Sequence, residues 1–93
     1  MFKIGDEVMD VDGRMYVVFG IMNKKPKELR TVYEVRSNEG LPIRIDEFRL
    51  APYNEKVAAA LMSVAEQCYK TRKLSDELAH MRNSLFEQMQ GAK

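Results

Sequence analysis

The chain has 93 residues, a single cysteine, a single histidine and a net charge of +1. That length allows one small domain, or a small domain carrying an extended helix, with a modest core that oligomerisation would strengthen. The lone Cys68 excludes an intrachain disulfide and a cysteine-rich metal site, and the near-neutral charge lacks the basic excess usual in nucleic-acid binders.

The charge balance holds in both parts of the chain. Residues 1–53 carry nine Lys/Arg against nine Asp/Glu, and residues 54–93 carry six against five. The opening M-F-K-I-G-D-E-V has no apolar stretch of the signal-peptide kind, and no apolar run approaches bilayer-spanning length. These features predict a cytoplasmic protein with no membrane segment.

Residues 2–10 read as an extended segment interrupted at Gly5-Asp6 by a turn or bulge. Asp12-Gly13 is a hairpin turn signal, because Asp and Gly tolerate the positive φ that such turns need. Met15–Ile21 is rich in β-branched and aromatic residues and reads as a strand that is apolar on both faces. Asn23–Glu28 is a polar loop with a proline. Arg30–Arg36 alternates so that Thr31, Tyr33 and Val35 share one face of a third strand. Ser37–Gly40 is a turn, and Leu41–Ile45 a fourth strand with Ile43 and Ile45 inward and Arg44 outward. Pro42 has no N–H for a ladder and marks a strand start or an edge. Asp46–Phe48 reads as one tight turn before a short fifth strand, Arg49–Ala51, that Pro52 ends.

Five short strands separated by turns predict a small antiparallel barrel. F-K-I-G-D-E-V, D-G-R-M-Y-V-V-F-G-I, T-V-Y-E-V-R and I-D-E-F-R-L-A-P together resemble the SH3-like barrel superfold, which KOW- and Tudor-type domains share. The likeness spans residues 2–52 and is one of pattern, with the turn at Asp46–Phe48 its most telling part. It implies a closed or nearly closed five-stranded barrel and a role in binding protein, peptide or nucleic acid.

Residues 55–89 contain no Gly or Pro and are dominated by strong helix formers. Val57, Leu61, Val64 and Cys68, then Leu74, Leu78, Met81, Leu85 and Met89, recur in steps of mostly three and four. The expected architecture is therefore α+β: a barrel over residues 1–53 and a long amphipathic helix over 54–93. Asn54 suits the N-cap and Gly91 the terminator. The apolar register slips near Thr71, which fits either a stutter in one continuous helix or a break with Ser75 as a new cap. Val57–Leu61 is expected to pack on the barrel. The stripe of Leu74, Leu78, Met81, Leu85 and Met89 reads as a seam for a second copy, a homodimer, with Lys73–Glu77 and Arg72–Asp76 pairs beside it. The alternative is that this segment folds back on its own barrel.

No catalytic constellation emerges. His80 has no nucleophile beside it, Ser63, Ser75 and Ser84 lack a base-and-orienter set, and no phosphate-binding or metal motif occurs. Asp6, Glu7, Asp10 and Asp12 read as a solvated acidic edge. The expectation is a non-enzymatic protein-binding adaptor or regulator without cofactor or metal, self-associating through its C-terminal helix and of a size usual for accessory proteins of phages or mobile elements. Its seven methionines suit adaptable partner surfaces. The alternative is a nucleic-acid-binding module using Lys24, Lys25, Lys27 and Arg30, with Arg44 and Arg49 in support.

Overall fold

A computed structural model of the chain describes residues 2–22, 31–38, 40–71 and 76–91. Five strands come first: β1 (Glu7–Met9), β2 (Met15–Met22), β3 (Val32–Arg36), β4 (Pro42–Asp46) and β5 (Ala51–Pro52). A single 3-10 turn, Glu47–Arg49, separates β4 from β5, and two helices follow, α1 (Glu55–Thr71) and α2 (Asp76–Gly91).

The turns arise from local chemistry. Gly5, at a φ of 95°, bends the chain into β1, and the Asp6 carboxylate accepts from the Lys3 N–H at 2.8 Å. Gly13, at 82°, closes the β1–β2 hairpin. The Gly40 N–H donates to the Ser37 carbonyl at 2.9 Å in the turn before β4. Asp46 caps the 3-10 turn by accepting from the Phe48 N–H at 3.0 Å. The Asn54 side chain accepts from the N–H groups of Lys56 and Val57 at 3.0 and 3.1 Å, so it is the N-cap of α1.

The strands form one antiparallel sheet in the order β4-β3-β2-β1-β5. The sheet is open, which corrects the expected closed barrel: among the described residues β4 and β5 are its two edges and do not pair. The fifth strand is only Ala51–Pro52, and Pro52 has no N–H with which to extend the ladder. In β2 the register slips between Val18 and Gly20, so Phe19 is the extra residue of a bulge. Before the bulge Tyr16 and Val18 face inward and are buried; after it Ile21 takes the register opposite Tyr33 but is 42% exposed. The bulge accounts for a strand that reads as apolar on both faces, and it turns Phe19 outward, where the Arg36 guanidinium lies 5.1 Å from the ring centroid.

Two cores result. Phe2, Val8, Tyr16, Val18, Tyr33, Val35 and Leu50 fill one face of the sheet, with Ile45 at their margin. The Phe2 N–H donates to the buried Tyr33 hydroxyl at 3.0 Å, and the two rings meet edge to face. On the opposite face Met9 and Ala51 are covered by Ala58 and Leu61 of α1 and Phe86 of α2. Val8 and Met9 are adjacent and both fully buried, so β1 serves one core with each residue.

The continuous long helix is corrected as well, and the alternatives of two helices and of a segment folded back on its own sheet are the ones the structure shows. The C-terminal part consists of α1, 17 residues, and α2, 16 residues, which pack on each other. The 72–75 segment, with the candidate cap Ser75, lies outside the described residues. The longest dimension of the molecule is 41 Å, shorter than the roughly 52 Å rod that 35 helical residues would make. α2 returns to the sheet because Leu85, Phe86 and Met89 supply the apolar cover that α1 alone does not. Gln90 fastens its end, donating from Nε2 to the carbonyls of Phe48 and Leu50 at 2.7 and 3.1 Å.

Candidate binding groove beside the edge strand

The β1–β2 turn is built on one carboxylate. Asp10 Oδ1 accepts from the N–H groups of Asp12 and Arg14 at 2.9 and 3.0 Å, and Oδ2 accepts from the Tyr16 hydroxyl at 3.0 Å. This turn presses on α1: a Cβ added at Gly13 would lie 2.4 Å from the Ala58 carbonyl oxygen. Glycine is thus required twice at this position, for its positive φ and for the close approach.

Between this turn, the β3–β4 turn and the start of α1 lies a concavity of about 840 Å³. Met15, Tyr16, Leu41, Ile43, Tyr53 and Met62 give it an apolar lining, with Arg14 and Glu55 at its margin. Its rim is open to water: Leu41 is 69% exposed, Ile43 41% and Met62 49%. A second concavity of about 670 Å³ shares Tyr16 and Ile43 with the first and continues along β4 past Arg44 and Ile45 to Phe48. Both exist because the sheet is open. In a closed barrel Ile43 would face a neighbouring strand; here it has the inward register, opposite Val35, and is only partly covered.

Tyr16 sits under the groove. Burial, then the Asp10 charge and the hydrogen bond to it, push its phenol above the ordinary tyrosine value, with Arg14 opposing. Asp10 is committed to the turn and to Tyr16.

The residues singled out from sequence fall as follows. Lys24, Lys25, Lys27 and Arg30 lie outside the described residues, as does Leu74, and so do the Lys73 and Arg72 partners of the expected helix pairs. Met81 is 55% exposed and Leu78 half-buried, whereas Leu85 and Met89 pack beside Phe86 on the second core. His80 is exposed on α2 and Cys68 half-buried on α1. Asp6 and Asp10 hold backbone N–H groups, a structural use of two members of the acidic cluster. Among the described residues no group of three or more His, Cys, Asp or Glu converges as a metal site, and no helix is long and apolar enough to cross a membrane. The groove residues Leu41, Met62 and Tyr53 carry no sequence motif. Their one legible signal is an apolar pair, Leu41 and Ile43, straddling Pro42 beside a glycine turn. Comparison with protein-family models, curated proteins and solved structures finds no match.

Proposed function

We propose that the protein is a non-catalytic adaptor or regulator that holds a segment of a protein partner in the groove beside β4. The observation that carries this reading is the exposure of Ile43 on an edge strand, and of Leu41 just before it, flanking an apolar concavity. Covering one such side chain is worth about 1.5–3 kcal/mol, and an uncovered apolar edge is a hazard unless something is meant to sit there. Strand addition at a sheet edge supplies affinity through the main chain and specificity through the pockets for alternate side chains. In this reading residues 2–52 are an SH3-like barrel left open at one seam, and binding of protein or peptide is a common use of that superfold. Self-association through α2 belongs to the same proposal, using Met81 and Leu78, the part of the expected seam least involved in the second core.

The test compares tagged wild-type protein with a Leu41→Asp/Ile43→Asp variant in pull-downs from the source cell's lysate, with and without nuclease. Circular dichroism checks that the variant is folded. A protein that survives nuclease and is lost from the variant is the expected result. Equal capture by both, or capture that vanishes with nuclease, overturns the proposal.

A further inference from the structure

The open edge of β4 has a definite chemistry. The Glu47 N–H donates to the Thr31 carbonyl at 2.9 Å, and β3 and β4 pair in one continuous register from Val32–Asp46 to Arg36–Pro42. In an antiparallel ladder directly bonded pairs alternate. Thr31–Glu47, Tyr33–Ile45 and Val35–Ile43 are therefore the bonded pairs, and the backbone N–H and C=O of Arg44 point away from β3, to the open side. Pro42 has no N–H to offer there. The Arg44 side chain lies on the sheet face opposite Ile43 and Ile45, beside Glu34 at 3.6 Å, and is 59% exposed. The edge thus presents Arg44, with Asp46 two residues on, on one face and two isoleucines bordering an apolar groove on the other.

From this we infer that the occupant is an extended segment of a different protein, with an acidic residue opposite Arg44 and apolar residues on either side of it. The inference rests on the groove reading above and names the partner's chemistry. A strand added to β4 sets one of its residues directly across from Arg44, where an opposite charge is favourable and a like charge is not. Its two neighbours fall on the other face, next to Ile43 and Ile45, above the lining formed by Tyr16. A second copy of β4 fits less well. Paired antiparallel about Arg44, or parallel in register, it sets arginine against arginine. Paired about Ile45 it sets Arg44 against Asp46, but the ladder is then only Arg44–Asp46 long, because the 3-10 turn starts at Glu47.

The experiment titrates isotopically labelled full chain at low ionic strength with two nine-residue peptides of alternating valine and threonine, one with a single glutamate and one with a single lysine at the central position in place of threonine. Amide shifts in β4 report where each binds. The glutamate peptide is expected to shift the Arg44 amide and to bind about fivefold or more tightly than the lysine peptide. Arg44→Glu, an exposed change that leaves both cores intact, is expected to reverse the order. Equal affinity of the two peptides at β4 overturns the charge inference and leaves the groove reading standing. Binding of neither overturns both. Shifts of the β4 amides with protein concentration alone identify a second copy as the occupant and overturn the inference.

Discussion

Two glycines with nearly the same backbone differ in what surrounds them. Gly13 and Gly40 have φ of 82° and 85°, but a Cβ at Gly13 meets the α1 backbone and one at Gly40 meets nothing within 4 Å. Gly40→Ala is expected to cost about 1 kcal/mol, the penalty of left-handed backbone for an L-residue. Gly13→Ala adds a clash with a carbonyl that cannot rotate away, and its expected cost is about 3 kcal/mol. Urea denaturation of both variants checks the order; equal losses would mean that the turn does not press on the helix. Tyr16 gives a second prediction. Burial first, then Asp10, raise its phenol above the ordinary 10.0, so the folded chain keeps that proton to higher pH than the unfolded chain does. The resulting stabilisation is complete below pH 10.0 and is lost as pH rises through the folded value. The urea midpoint should fall across that window, and fall less in Tyr16→Phe.

At the scale of the element, α2 shows how little its periodicity says about its cover. Steps of three and four place Leu78, Met81, Leu85 and Met89 on one side, but the buried residue is Phe86, and Met81 stands in water. The apolar arc is wide enough to serve the sheet with Leu85, Phe86 and Met89 and to leave Met81 free of it. Phe86→Ala is expected to cost about 3–5 kcal/mol through the cavity it leaves between Met9, Ala51 and Leu61. Met81→Ala should stay within about 0.5 kcal/mol, as for an exposed residue. Guanidinium unfolding followed by helix signal measures both. A Phe86 variant as stable as wild type would mean that α2 does not depend on this contact.

For the molecule as a whole, the open sheet and the returning helix are two sides of one arrangement. α1 and α2 cover the β1–β5 side, where Met9 and Ala51 need it, and Pro42, Ile43 and Arg44 of β4 are left exposed. With the proposed self-association running through Met81 and Leu78, Met81→Asp with Leu78→Asp is expected to reduce the mass measured by light scattering to that of a single 10.8 kDa chain. A wild-type mass that is already monomeric at high concentration would remove this part of the proposal. A dimer formed this way would present two grooves and raise avidity for a partner with two sites, with no new contact in either groove.

Much of the chain was legible locally. Asp12-Gly13, the Asp46 turn, the Asn54 cap, the alternation of Thr31, Tyr33 and Val35, and the strand at Met15–Ile21 are written within a few residues, because turn φ, capping and side-chain alternation are short-range physics. The bulge at Phe19 was half visible, as a strand apolar on both faces. What only the tertiary structure decided is which strands lie at the edges, that the sheet stays open, and that the C-terminal helices turn back rather than run on. Those outcomes depend on which apolar surfaces, distant in sequence, find one another. A helical period says that a face must be covered, but it carries no information about what covers it. The groove along β4 follows from the same cause. Leu41 and Ile43 are ordinary apolar residues in sequence, and they become a candidate site because the fold leaves them uncovered.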